Sequence, residues 1–225
     1  MKKENERFFK GGVGMNKPII TISRAYGSGG HEIGKKLAET LQIPFYDNEQ
    51  ISILAQKEGI SKELLADAEK IGSNNILFSL SKLGPSTEVY GMPLSERIYD
   101  VQKKVIQEIA YKGPCVIVGR CADYILKDFE NCVHIFITAS LPTRVRRAVS
   151  EYHLTEENPE KKVLKADKSR ELYYNYHTGQ KWGEASNYDI VINTDRTGLD
   201  NAVTIIEAYA YMQNEQAPIK PVPKF

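Results

Sequence analysis

One stretch constrains the fold of this chain more than any other. Pro18–Ser23 (Pro-Ile-Ile-Thr-Ile-Ser) runs directly into Arg24-Ala25-Tyr26-Gly27-Ser28-Gly29-Gly30-His31. A short β-branched run without polar alternation has the form of a strand buried on both faces, as in parallel sheets. Gly27, Gly29 and Gly30 let the backbone approach an anion closely, and Ile33, Leu37 and Leu41 behind them fall on one helical face. Strand, glycine loop and helix in that order aim free N–H groups at a phosphate. Read alone, the loop leaves two chemistries open. Gly27 and Gly29 begin a dinucleotide fingerprint, with Asp47 where a ribose-binding acid would sit, but Glu32 stands at the third glycine. A Walker loop, Gly-x-x-x-x-Gly-Lys-[Ser/Thr], aligned on Gly29 instead places Arg24 first, Gly30 at the lysine and His31 at the hydroxyl residue.

The rest of the chain repeats the alternation. Ile43–Tyr46, Pro114–Gly119, Cys132–Thr138 and Tyr188–Asn193 read as four further short strands. Helices are expected over Asn48–Lys57 with Asp47 as cap, from Pro93 through Tyr111, over Leu141–His153 and over Leu199–Met212. Five buried strands alternating with helices predict an α/β doubly wound sheet, whose ligands lie beyond the C-terminal strand ends. Arg120 directly follows the third strand, with Asp123 three residues on. Arg144, Arg146 and Arg147 follow the fourth, and Asp167 and Arg170 share a face if their segment is helical. Several arginines converging on a glycine loop suit phosphoryl transfer, which spreads charge over oxygens that guanidinium groups clamp. Residues 1–16 are polar and aperiodic, the pattern of a disordered lead-in, and 214–225 read as an extended proline-rich tail.

Charge narrows the partners. Thirty Lys and Arg against 29 Asp and Glu leave a formal charge of +1, so no net field recruits a nucleic acid polymer or an acidic membrane. The apolar runs are too short to span a bilayer. Cys115, Cys121 and Cys132 are odd in number and lack metal-type spacing, which suits a reducing, cytoplasmic setting. His31 reads as a polar cap that could also donate to a phosphate, and His134 as a core or edge residue. Tyr173, Tyr174 and Tyr176 beside Trp182 read as a local core and Cys121 as a small hydrophobe.

Four separated blocks then carry a resemblance. Ile-Thr-Ile-Ser-Arg-x-Tyr-Gly-Ser-Gly-Gly-x-x-Ile-Gly, Ile-Pro-Phe-Tyr-Asp, Pro-Cys-Val-Ile-Val-Gly-Arg-Cys-Ala-Asp and Asn-Tyr-Asp-Ile-Val-Ile-Asn-Thr-Asp occur in that order. Together they resemble the cytidylate kinase-like family of P-loop nucleoside monophosphate kinases. The resemblance implies a three-layer fold with a five-stranded parallel sheet of order 2-3-1-4-5. It also implies one domain over 17–213, with a helical NMP-binding insertion at 51–111 and a lid at 155–181. The activity it implies is transfer of the γ-phosphoryl group of ATP, with Mg²⁺, to a nucleoside monophosphate or related small acceptor. On that reading Gly27, Ser28, Gly29, Gly30 and His31 cradle the donor phosphates, and Arg24 is nearest to supply the missing lysine's charge. Tyr46, Asp47, Arg97, Arg120 and Asp123 face the acceptor. Arg144, Arg147 and Arg170 close over the transferring group, with Asp167 orienting Arg170. A nucleotide sensor without turnover is the second reading of the same residues, and an NAD-dependent Rossmann oxidoreductase the third.

Overall fold

The strand that enters the glycine loop is β1 (Ile19–Arg24), and it lies at the centre of the sheet. The computed structural model describes residues 17–58, 94–129 and 131–216. The expected lead-in, insertion residues 59–93 and the tail beyond 216 lie outside the described residues. After β1 come α1 (Gly30–Leu41), β2 (Phe45–Tyr46), α2 (Asn48–Lys57), α3 (Leu94–Lys112), β3 (Cys115–Val118) and the single turn α4 (Ala122–Ile125). The chain continues through β4 (Cys132–Thr138), α5 (Leu141–Ser150), α6 (Pro159–Thr178), β5 (Ile190–Asn193) and α7 (Thr194–Gln216). All strand pairings are parallel and the order is β2-β3-β1-β4-β5, as the resemblance implies.

Strand alternation sorts the core into two layers. Ile20 and Ile22 of β1, with Val116 and Val118 of β3, pack against Ile33, Leu37 and Leu41 of α1 and Ala202 and Ile206 of α7. Cys115 and Ile117 point the other way, into a cluster built from α2, α3 and α4 around Ile51, Ile106 and Leu126. Helix α1 thus covers one face after β1, and α4 covers the opposite face after the neighbouring β3. Adjacent strands whose following helices leave to opposite faces open a crevice at their C-terminal ends. That crevice, between Arg24 and Gly119, positions the site.

Some boundaries differ from the sequence expectation for local reasons. Asp47 caps α2 as expected: its carboxylate accepts from the N–H groups of Glu49 and Gln50, and the Gln50 side chain returns to the Asp47 N–H. The closing helix begins five residues before the expected Leu199 and is broken at Gly198 (φ 70°, ψ −179°), so Leu199 starts its second part. It runs on to Gln216, into the segment expected as tail. Among the described residues no helix is long and apolar enough to cross a membrane.

Leu37 is fully buried between α1 and the sheet. Leu37→Ala should lower unfolding free energy by about 2–5 kcal/mol, the range for a large-to-small core change. Urea denaturation followed by Trp182 fluorescence measures it.

Candidate active site

Strand parity decides what each end residue of β1 can reach. Ser23 follows Ile19 and Thr21 onto the α4 side, where its hydroxyl donates to Asp123 Oδ1 at 3.2 Å. Arg24 shares the parity of Ile20 and Ile22 and emerges on the α1 side. There the start of α1 is a glycine: a Cβ on Gly30 would lie 2.6 Å from Arg24 Cβ and 3.0 Å from its Cγ. The arginine stem therefore occupies the space a side chain at position 30 would need. Its guanidinium ends against Gly119, where a Cβ would collide with Nη1. Gly119 has φ +85°, so both its backbone and its missing side chain are required there.

The turn after β3 is strained beyond that glycine. Arg120 and Cys121 both have φ 55°, a left-handed conformation costing non-glycine residues of order 1–3 kcal/mol each. The turn directs Arg120 into the crevice, where its Nε donates to Asn48 Oδ1 and its guanidinium lies 5.7 Å from the Tyr173 ring centroid. Cys121 is buried, and that burial raises its thiol far above the ordinary range. It is a packing residue, as its sequence context suggested.

Helix α6 closes the third side. Lys162, Lys165, Ala166, Ser169, Arg170 and Tyr173 recur at helical spacing and all line one cavity of about 580 Å³ with Arg24, Arg120, Asn48 and Trp182. Among the described residues no Asp or Glu lines it. Burial, and after it the Arg170 and Arg120 guanidiniums, lower the Arg24 pKa to about 9 against the pull of Asp47. Arg24 stays charged at neutral pH. Arg170, also lowered chiefly by burial, is pulled the other way by Asp167. Its Nη1 donates to the Arg24 carbonyl at 3.3 Å, and its guanidinium lies 5.3 Å from the Tyr26 ring centroid.

The glycine loop is held by its carbonyls. Arg144 Nη1 donates to Tyr26 O at 3.2 Å, Arg147 Nη1 to Gly27 O at 2.7 Å and Thr194 Oγ1 to Ser28 O at 2.9 Å. Across a trans peptide the N–H points opposite its carbonyl. The N–H groups of Gly27 and Gly29 are thus turned away from these donors, beside the open first turn of α1. The Ser28 N–H is used within the loop, on Ala25 O at 3.2 Å. The buried Ser28 hydroxyl has no hydrogen-bond partner among the described residues. A cradle of glycines, an orphaned hydroxyl and a helix N-terminus fit the phosphates of a nucleotide donor.

Several sequence candidates take other positions. Asp167 forms an ion pair with Arg144, accepts the Tyr26 N–H at 2.7 Å and stands 3.8 Å from Arg170, so Arg144 rather than Arg170 is its near partner. Arg144 and Arg147 hold the loop from outside the cavity. Asp47 caps α2 and accepts from His31 Nε2 at 2.9 Å. Burial acts against its ionisation, but hydrogen bonds from His31 and the helix N–H groups outweigh it and lower its pKa. Tyr46 packs on the α3 cluster, and Arg97 lies on α3 outside the cavity lining. Asp123 is buried beneath the cavity floor, accepting from Ser23 and from Tyr174 at 2.7 Å. His134 sits in β4 with Thr21 Oγ1 2.8 Å from its Nδ1. Lys162, Lys165 and Asn48 were not among the sequence candidates. The six-residue face of α6 was present in the spacing, but a polar stripe gives no hydrophobic period to read.

Metal fits less well than phosphate. Position 31 carries His where a Walker loop holds Mg²⁺ with a hydroxyl, and no group of three His, Cys, Asp or Glu side chains suited to a metal occurs among the described residues.

A parallel sheet of this order, a glycine loop after its central strand and arginines at the neighbouring strand end define a phosphotransferase of the P-loop kinase class. The chain belongs to the cytidylate kinase-like family, whose model matches residues 19–196. It is 24% identical over 196 residues to a cytidylate kinase from Sulfurisphaera tokodaii, covering 85% of this chain and 94% of that protein. A cytidylate kinase from Methanosarcina barkeri is 26% identical over 180 residues, covering 79% and 87%. The crystal structure of an uncharacterized protein from Eubacterium ventriosum superposes with TM-score 0.66 at 29% identity, covering 86% of this chain and 98% of that one. Shikimate kinase from Acinetobacter baumannii shares the fold at TM-score 0.50 and 17% identity, covering 90% and 97%.

The buried Asp123 generates a pH prediction. Burial raises its pKa above the ordinary 3.8, with the Tyr174 and Ser23 hydrogen bonds acting against that rise. A carboxyl that is a weaker acid when folded contributes stability below the unfolded pKa, and that contribution is lost as pH rises through the folded value. Each tenfold weakening of the acid is worth about 1.4 kcal/mol. Asp123→Asn should abolish this decline, leaving a flatter stability profile from acid to neutral pH. Urea titrations at a series of pH values measure the slope; equal slopes in both proteins would contradict the assignment.

Proposed function

We propose that the chain transfers the γ-phosphoryl group of ATP to the phosphate of a nucleoside monophosphate, with CMP as the first acceptor to try. The observation that carries this reading is the cavity lining: among the described residues Arg24, Arg120, Lys162, Lys165 and Arg170 surround it, and no carboxylate does. A hydroxyl acceptor must lose a proton as it attacks, which calls for a nearby base. A phosphate acceptor brings an ionised oxygen and needs its charge neutralised instead. The described lining supplies cations and no carboxylate base, so it suits the phosphate.

The reaction then follows from placement. The loop N–H groups hold the donor phosphates at the start of α1, and the acceptor phosphate enters the crevice between β1 and β3. An acceptor oxygen attacks the γ-phosphorus, the bond from phosphorus to the β–γ bridging oxygen breaks, and ADP leaves as a nucleoside diphosphate forms. Positioning and charge stabilisation supply the rate; no covalent intermediate is required. Tyr173 and Trp182 offer aromatic faces beside the acceptor phosphate. The names of the cytidylate kinase relatives support CMP. Most of the proposed insertion lies outside the described residues, and the proposed lid corresponds to α6 and its flanks.

Incubation with γ-labelled ATP and a panel of ribo- and deoxyribonucleoside monophosphates, with shikimate as a hydroxyl acceptor and a no-acceptor control, tests the proposal. Label should appear in a nucleoside diphosphate and not on shikimate. Arg120→Ala should raise the acceptor KM by about tenfold or more while ATP KM changes little. ATP binding without transfer to any acceptor would replace the kinase with a nucleotide sensor.

A further inference from the structure

Positions 24 and 30 show a reciprocal exchange. In a Walker loop the first position is glycine and the seventh is lysine; here the first is Arg24 and the seventh is Gly30. The packing explains why the two changes go together. Gly30 is the residue over which the Arg24 stem passes, and a Cβ at position 30 would also come within 3.3 Å of Ile137 Cβ. A side chain at 30 and the arginine at 24 compete for one space. Gly119 completes the passage, since only a residue without Cβ leaves room for the guanidinium at the end of β3.

We propose that the loop cation has moved from the donor side to the acceptor side of the reaction: Arg24 reaches across Gly30 to Gly119 and there contacts the acceptor phosphate and the phosphoryl group it receives. This rests on the kinase reading and adds which substrate the displaced cation serves. A lysine at position 30 would rise from the first turn of α1, beside the donor phosphates. Arg24 instead runs beneath the loop from β1 to β3, the two strands that form the crevice. It joins Arg120 and Arg170 in the lining of one cavity. Among the described residues no carboxylate lines the space these guanidiniums share, and after burial it is the Arg170 and Arg120 charges that depress the Arg24 pKa. The strained backbone of Arg120 and Cys121 aims the second cation at the same point. The arrangement is built around an anion between β1 and β3.

The test compares the full-length wild type with Arg24→Gln, Gly30→Lys and the double variant Arg24→Gly/Gly30→Lys. Steady-state kinetics and the melting temperature with and without inorganic phosphate are the readouts. Arg24→Gln should lower kcat by about 100-fold, the range for removing one preorganised charge donor, with ATP KM within about threefold of wild type. It should also lose the melting-temperature rise that phosphate gives the wild type. Gly30→Lys alone should melt several degrees lower, because its side chain meets the Arg24 stem. The double variant should recover the melting temperature and at least about tenfold of the kcat lost in Arg24→Gln, now with a lower ATP KM. Arg24→Gln with kcat within threefold of wild type and an intact phosphate shift would overturn the proposal. So would Gly30→Lys melting like the wild type. If the wild type phosphorylates no monophosphate, the kinase reading fails by itself; a phosphate shift that still disappears in Arg24→Gln then upholds the anion contact, and one that persists overturns it.

Discussion

Three guanidinium groups brought together at the C-terminal edge of a parallel sheet, with no carboxylate among the described residues that line the cavity, set the terms for the rest of this structure. Like charges in a partly buried space are costly, so each must be held by its surroundings. The Asn48 side chain fixes Arg120, the Arg24 carbonyl and the Tyr26 ring fix Arg170, and two glycines make the passage that fixes Arg24. Backbone strain at Arg120 and Cys121 adds to the cost. Such features persist when the surrounding fold over-determines them. Here the surroundings are the two buried strands β1 and β3 and the helices that leave them on opposite faces.

A second set of cations does different work. Arg144 and Arg147 reach the loop from α5 and hold its carbonyls, while Asp167 on α6 ties Arg144 and the Tyr26 N–H together. The glycine loop, the proposed donor cradle, therefore depends on α5 and α6 packing side by side. One face of α6 supplies Lys162, Lys165 and Arg170 to the cavity, the proposed acceptor side, and Asp167 beside them braces the glycine loop. Movement of α6 would change the cavity and the glycine loop at once, which gives a physical basis for treating 155–181 as the proposed lid.

The sheet was legible because parallel strands are apolar on both faces: Ile19–Ile22 and Cys115–Val118 could hardly be anything else. Glycines at the end of β1 and an arginine after β3 mark the crevice in the sequence itself. The partners of the arginines were not legible. Arg144, Arg147 and Arg170 read alike in sequence, and only the packing of α5 and α6 separates two loop braces from one cavity residue. Asp123 looked like an acceptor ligand because it follows Arg120 by three residues; the turn after β3 instead buries it under Ser23 and Tyr174. Lys162 and Lys165 escaped notice since charged helical faces are usually solvated. The passage of Arg24 depends on strand parity, on a glycine six residues later and on another after a different strand. No local pattern joins those three.

A crystal structure with a bisubstrate analogue, adenosine joined to cytidine through five phosphates, tests the central claim most directly. The account predicts that the phosphate chain runs from the N–H groups of Gly27 and Gly29 and the start of α1 into the crevice. Its acceptor-side phosphates should lie within hydrogen-bond distance of Arg24, Arg120 and Arg170. A phosphate chain that binds elsewhere, or that occupies the loop while Arg24 remains out of contact with it, would contradict the account.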